Sequence, residues 1–447
     1  MRSNYRQVGR LFLSAPEYSL INSSVPRLRS FNLQPVRSDV VFILFPRLCF
    51  WTRVTLLSVG ILTALSLPRI SLAAEWSFEP SIGLATSHDD NATLTTGAHE
   101  SATAVSIYPR MKWGKTTETS AVNIDLRLSA TEYSGNQVPD TDAQTLTLNS
   151  YVQTTERTKW GLDSEFRREI LFESTVSTAG TGNLRDTDVG LVTQKVRRES
   201  LLARPSWNHA LTERSSLGLN YEINDVSFTN IAGTGLEDYK DHRLSATYAY
   251  RITQRDDLNF TLAHSAYRPD VSNTKSDSNQ LLVGISRAFT ETARGRFMVG
   301  VGETSEKTSA GTDDSSNYVL EAGLEQRSEL TTVDGVISRD VQPSGAGRSV
   351  LSNQFRINLS RKISPMVNLN IRANVFRNKV LEGSDPDVDR RYYELIPGLS
   401  WQWKPEWAFG LEYQYRKQKF DADPETAKSN ALFAGVKYSW PKQVTSR

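Results

Sequence analysis

From Trp76 onward the chain repeats a single plan, in which ten to fifteen residues of alternating apolar and polar character are followed by a connection. In Ser120–Ala130, Val122, Ile124, Leu126 and Leu128 interleave with Asn123, Asp125, Arg127 and Ser129. Leu217, Leu219, Tyr221 and Ile223 alternate with Gly218, Asn220 and Glu222, and Leu411, Tyr413 and Tyr415 with Glu412, Gln414 and Arg416. Val367–Val375 sets Val367, Leu369, Ile371, Ala373 and Val375 against Asn368, Asn370, Arg372 and Asn374. A period of two sends one set to each face of a strand. No segment sustains a helical period, so the chain is all-β.

A soluble sandwich alternates as well, and the connections decide between the two. Short ones fall near Gly114–Glu118, Thr155–Thr158, Ala210–Arg214, Thr253–Arg255, Glu291–Ala293, Glu329, Ile363–Pro365 and Lys404–Pro405. Between them lie long polar ones near His88–Glu100, Ser134–Asp140, Glu173–Asp186, Thr229–Asp238, Pro269–Ser276, Thr308–Ser315, Gln342–Arg348, Asn378–Val388 and Asp421–Ala427. Eight short turns and nine long loops separate eighteen strands. Short turns on one side, longer loops on the other and an even strand number describe a transmembrane antiparallel up-and-down β-barrel. Weak segments such as Thr331–Val341 leave sixteen strands as the alternative count.

Tryptophan placement supports the membrane reading. Trp76, Trp113, Trp160, Trp207, Trp401, Trp403, Trp407 and Trp440 each stand beside a short turn or a terminus. A sandwich would scatter them through its core, whereas a membrane barrel gathers them into an aromatic girdle at one rim. Tyr133, Tyr267, Tyr318 and Tyr392, near long loops, are the candidates for the opposite rim. At its end the chain carries Gly435, Tyr438 and Trp440, the glycine–aromatic–aromatic spacing of a terminal strand signal for the barrel-insertion machinery. Phe433 and the seven residues Pro441–Arg447 depart from that pattern.

The first 73 residues read differently. Arg53 precedes an uncharged apolar stretch, Val54–Leu67, too short to span a bilayer but suited to a signal-peptide core, with small residues Ser71, Ala73 and Ala74 after it. The domain reading is therefore a leader over residues 1–73 and a barrel over residues 74–447. Arg2, Arg6, Arg10, Arg27, Arg29, Arg37 and Arg47 make the upstream part unusually long and basic. A true start near Val41 or Leu48, with residues 1–50 mis-assigned, or an organelle transit peptide would each explain it; the secretory core and cleavage site favour the first. Removing residues 1–73 takes away nine arginines, two acids and Cys49, and leaves 43 basic and 48 acidic residues, a net charge of −5 without cysteine. That excludes disulfides and Cys-ligated metal, and gives no basic face for nucleic acid. With five histidines in the chain, no metal or cofactor is expected.

The stretch Ile82-Gly83-Leu84 running into His88-Asp89-Asp90-Asn91 resembles the opening of a family of β-barrel porins linked to exopolysaccharide and capsule gene clusters. Similar hairpin motifs appear at Arg214–Leu217, Asp225-Val226-Ser227-Phe228, Asp238–Leu244 and Thr253–Asp256. The resemblance implies an outer-membrane pore, in a Gram-negative bacterium, that exports polysaccharide or assists its export, with no catalytic residues to carry over. A general or sugar-uptake porin is the alternative, and a non-conducting barrel docking a periplasmic complex is another. Expected partners are outer-membrane lipid and lipopolysaccharide, the insertion machinery, polysaccharide as cargo and, in the docking reading, periplasmic polysaccharide-export proteins.

On the alternation, the lumen is lined by Arg127, Arg167, Arg243, Arg251, Arg296, Arg356, Arg372 and Arg416, with Asp125, Asp163, Glu222, Glu394 and Glu412. Lys159, Glu165, Glu321 and Glu325 join them. Both signs occur, which forecasts no strong ion selectivity; such side chains either hydrogen-bond to passing sugars or pair across strands. Asp89, Asp90 and Asn91 read first as turn formers. Asp385, Asp387 and Asp389 mimic a calcium loop, but Arg390 stands where glycine is needed and Ile396 where glutamate is needed. His88, His99, His209, His242 and His264 lie in no nucleophile motif, so no enzyme is expected. The longest connections, Glu173–Asp186 and His88–Glu100, are the candidate constrictions.

Overall fold

The computed structural model describes residues 74–97, 99, 101–134, 138–171, 195–272, 274–308, 311–381 and 388–446. The leader expected over residues 1–73 lies outside them, as does the connection Glu173–Asp186. Eighteen long strands follow one another around a closed antiparallel barrel. The first six are β1 (Glu75–Asp89), β2 (Ala102–Thr116), β3 (Ser120–Tyr133), β4 (Thr141–Thr155), β5 (Thr158–Leu171) and β6 (Val196–Ala210). Next come β7 (Ser215–Thr229), β8 (Tyr239–Arg251), β9 (Asp256–Pro269), β10 (Lys275–Ala288), β11 (Ala293–Thr308) and β12 (Gly311–Arg327). The last six are β13 (Thr331–Pro343), β14 (Ser349–Lys362), β15 (Val367–Val380), β16 (Arg390–Gln402), β17 (Trp407–Phe420) and β18 (Ala427–Ser439). Pairing of β1 with β18, Leu84 opposite Val436, closes the ring and leaves no edge along the wall.

One expectation needs correction. The loop expected over Thr308–Ser315 is instead a hairpin, with β12 already running from Gly311 and Ser305 opposite Asp314. Its polar residues read as loop because this hairpin stands beyond any apolar face. The residues after Trp440 also join the wall. A short β19 (Gln443–Ser446) continues the last strand along Glu75–Phe78 of β1.

The short turns share one device. The amides of Leu211, Ile252, Phe289, Ile363 and Trp403 each donate to the carbonyl four residues on, at 2.8–3.1 Å. In three of these turns a hydroxyl, that of Thr212, Thr253 or Ser364, accepts the next two free amides. Side-chain caps of this kind satisfy donors that would otherwise face the lipid headgroups unpaired. The leading apolar residue of each turn stays exposed and in register with the outward face, so it carries the apolar surface down to the rim.

Each strand is 13–17 residues long, more than the roughly 9–11 that cross a bilayer. The surplus lies at the long-loop end, where the faces exchange character. Outside, ion pairs such as Arg197–Asp142 (3.0 Å), Arg168–Glu199 (3.2 Å) and Arg268–Asp277 (2.6 Å) replace the apolar band. Inside, Val196, Val226, Phe228, Leu236, Tyr239 and Tyr267 form a packed apolar cluster. Val350, Val380 and Val388 form another, and Ala92, Ala102 and Val138 a third. A polar exterior around an apolar interior is what water on the outside demands; the wall has left the membrane there.

Glycines shape one corner. Gly284 and Gly300, on the inner face of β10 and β11, meet the neighbouring backbone so closely that an added Cβ would lie 2.1 and 1.9 Å from the carbonyl oxygens of Phe297 and Leu281. Side-chain-free positions of this kind permit a tight bend in a barrel wall. Behind the bend Leu282, Met298 and Val319 pack together. Across it the β8 and β13 walls touch: Arg243 donates to Asp340 at 2.8 Å and to Gln280 at 2.7 Å, and Gln280 donates to Asp340 at 2.6 Å. The barrel is thus pinched where β8 meets β13.

Candidate functional site: the barrel lumen

Arg127, Arg167, Arg243, Arg251, Arg296, Arg372 and Arg416 meet carboxylates supplied by their own or other strands. Asp125 accepts Arg110 Nε at 2.8 Å and Arg127 Nη2 at 2.7 Å, a three-membered row over β2 and β3. Arg167 sits between Glu165 (3.1 Å) and Glu169 (3.8 Å). Arg204, opposite Asp163, pairs with Glu222 at 2.5 Å. Arg251 reaches Asp257 at 3.6 Å, Arg372 reaches Glu412 at 2.9 Å, and Arg296 pairs with Glu321. Glu394 accepts from Gln414 at 2.7 Å, Glu325 from Arg327, and Lys159 lies 4.0 Å over the Tyr151 ring. Arg356 stands between Val336 and Asn374 in the register of β13–β15. The sequence reasoning missed Asp340, Gln280, Arg110 and Asp257 as partners, because each is supplied by another strand.

The first loop folds inward. Asp89 accepts Arg416 Nη2 at 2.5 Å and Ser429 Oγ at 2.7 Å, while Asp90 accepts both the backbone amide (2.7 Å) and the side-chain amide (2.8 Å) of Asn430. Asn91 donates to the carbonyls of Thr95 and Lys428, each at 2.9 Å. Their role is to fasten the loop. Leu94 follows, 1% exposed and at a φ of +50°, with its carbonyl accepting from Gln418 of the inner wall. A left-handed leucine costs about 1–3 kcal/mol and persists only where its surroundings hold it. The described part of His88–Glu100 is thus fastened to β17 and β18.

The loops of β7–β8, β9–β10 and β13–β14 meet one another at the long-loop end. Glu237 Oε2 accepts the amides of Val271 (2.6 Å) and Ser272 (2.7 Å), Glu237 N donates to Gly345 O at 2.8 Å, and Tyr267 Oη donates to Ser344 O at 2.5 Å. Asp389 is likewise structural, accepting Val380 N at 2.8 Å; Asp385 and Asp387 lie outside the described residues.

The eight tryptophans among the described residues stand at the short-turn end, with Trp76 against Trp113 (5.2 Å between rings) and Trp160 against Trp207 (6.3 Å). The opposite rim differs from expectation. Tyr318 is outward and exposed, but Tyr133, Tyr267 and Tyr392 turn inward, against Ala92 and Val138, Tyr239, and Phe376 respectively. They stand above the bilayer, where an aromatic ring is better placed in the packed interior. Each histidine bonds to something other than serine: His88 to Thr103, His99 to Gly97 O, His209 to Thr158, His242 to Tyr221 and His264 to Asn279.

A closed antiparallel barrel with an apolar outer band, an aromatic rim and a polar ion-paired lumen is an outer-membrane β-barrel. The chain belongs to the family described as "Putative beta-barrel porin 2", whose model matches residues 73–439. Similar solved structures include the FrpB iron transporter (F3-3 variant) of Neisseria meningitidis, 9% identical over 81% of each chain, TM-score 0.41. OpdL of Pseudomonas aeruginosa is 12% identical over 82% of this chain and 98% of its own, TM-score 0.37. OpdK of the same organism is 11% identical over 81% and 99%, TM-score 0.39. No curated protein matches the chain. The protein is thus a porin-type barrel of an outer membrane, a setting in which pore lining rather than catalysis is the ordinary use of the inner face.

Proposed function

We propose that the barrel is an export pore for polysaccharide in the outer membrane of a Gram-negative bacterium. One observation carries this reading: the lumen is polar and half-exposed towards the short turns, and is packed with apolar side chains at the long-loop end. By the topology of such barrels the short turns face the periplasm. A wet vestibule on that side receives cargo from within, and a packed outer mouth releases it only on opening. Alternating guanidinium and carboxylate rows suit sugar hydroxyls, which donate to one and accept from the other. Residues 1–73 supply the export signal in this reading.

The packed mouth also favours one second reading, a non-conducting barrel that docks a periplasmic export complex. Single-channel conductance of the protein purified from outer membranes separates the two. The pore reading expects openings that exopolysaccharide from the source cells blocks when added on the short-turn side. A folded, inserted barrel that never conducts, with or without polymer on either side, decides for the scaffold. Openings altered by small sugars and not by polymer decide for uptake.

A further inference from the structure

We infer that the inner wall at β18–β1–β2 is a binding site for an acidic sugar unit, a pyranose bearing a carboxylate or similar anionic group. The inference rests on the pore reading and names its cargo class. Tyr108 of β2 lies flat on this wall. A Cβ at Gly83 would stand 1.8 Å from its ring, and one at Gly435 would stand 2.9 Å from its hydroxyl. Its Oη donates to the Leu84 carbonyl at 3.4 Å, which fixes the ring against two strands. One face of the ring covers the glycine; the other faces the lumen, and the residue stays partly exposed. A flat, electron-rich aromatic face is a platform for the C–H face of a sugar ring.

Two ammonium groups flank it. Lys437 of β18 and Tyr108 are the two register neighbours of Gly83, so about 10 Å, two strand spacings, separates their backbones. Lys112 stands four residues along β2 on the same face, about 13 Å away. Most lumen arginines are held against carboxylates, but these two lysines are not. Lys112 stands in register between Glu79 and Asp125, but Asp125 is held by Arg110 and Arg127, and Glu79 by Lys442 at 3.1 Å. Neither Lys112 nor Lys437 has a carboxylate within ion-pair distance among the described residues. A row of paired charges fills a wet interior; two unpaired cations beside an exposed aromatic platform offer an anion a place.

The test is equilibrium titration of the protein, purified from outer membranes into detergent, with oligogalacturonate and with a neutral maltooligosaccharide of equal length. The uronate oligomer should bind at least tenfold more tightly, with an affinity that falls as salt rises. Lys112→Gln with Lys437→Gln should weaken uronate binding at least tenfold while the folded band on unboiled gels is retained. Tyr108→Leu should weaken it several-fold without changing the salt dependence. Equal binding of acidic and neutral oligomers, or uronate binding unaltered by the double lysine variant, overturns the acidic-sugar site and leaves the pore reading standing. No binding by either oligomer, together with a conductance indifferent to polymer, removes both.

Discussion

The guanidinium of Arg416 donates to the carboxylate of Asp89 at 2.5 Å, and this bond ties β17 to the end of β1 across the intervening β18. Both side chains are almost fully buried, 2% and 8% exposed. The pair therefore joins the barrel seam to the start of the first loop. Asp89→Ala leaves a buried cation without its partner, a change that costs about 3–5 kcal/mol. The urea midpoint for loss of the folded gel band in lipid vesicles should fall accordingly. Asp89→Ala combined with Arg416→Met should recover much of the loss, since no charge is then stranded; a double variant as weak as the single one would contradict this account.

Gly83 and Tyr108 make a second seam contact. Gly83→Ala places a Cβ inside the present ring position. We expect poor assembly for Gly83→Ala, measured as the folded fraction in outer membranes, and partial recovery when Tyr108→Ala removes the obstructing ring. A Gly83→Ala barrel that assembles normally would show that the ring moves aside freely.

The pinch predicts coupling between distant strands. Arg243 and Asp340 are separated by 97 positions in sequence, yet meet at 2.8 Å. A double-mutant cycle between Arg243→Met and Asp340→Ala should give a coupling energy of about 0.5–3 kcal/mol. Zero coupling would mean that the β8 and β13 walls do not touch in the membrane.

Inside and outside can be told apart by charge insertion. Val299 on β11 is outward and exposed, and Thr147 on β4 is inward, beside Asp125 and Glu165 in register. Val299→Arg should destabilise the barrel by about 2–4 kcal/mol, the usual penalty for arginine facing lipid near the midplane. Thr147→Arg should cost far less in the same unfolding measurement. Similar losses at both positions would refute the assignment of faces.

Loop closure should depend on pH. Asp423, in the β17–β18 loop, accepts hydrogen bonds from the Thr96 hydroxyl and the Glu425 amide, and these hold its carboxyl below the usual carboxylate value. A lowered folded-state pKa means the contact is fully present above the ordinary value, about 3.9. It is lost as pH falls through the lowered one. Amide exchange of Thr95–Gly97 should therefore accelerate at the acid end, beyond the change intrinsic to exchange chemistry. Asp423→Asn should remove that pH dependence; an unchanged profile would show that another group governs the loop.

Strand number and facing were legible because lipid and water impose a strict period of two, and each strand carries the evidence within itself. The tryptophan rim was legible for the same reason, each residue lying beside a turn. The turn pattern led by Leu211-Thr212, Ile252-Thr253, Phe289-Thr290 and Ile363-Ser364 is also written in the chain, though its meaning emerges only when the five turns superimpose. Tyr133, Tyr267 and Tyr392 misled because proximity to a loop does not say on which side of the membrane surface a residue ends.

Local patterning sufficed for an eighteen-stranded alternating wall, its polar lining and its aromatic end, because every strand meets the same two solvents. The pinch through Arg243 and Asp340, the inward fold of the Asp89–Leu94 loop and the pairing that leaves Lys112 and Lys437 apart arise only in the closed ring. Those features depend on which strands come to face one another across a closed ring, and closure brings together residues whose separation along the chain carries no trace of the meeting.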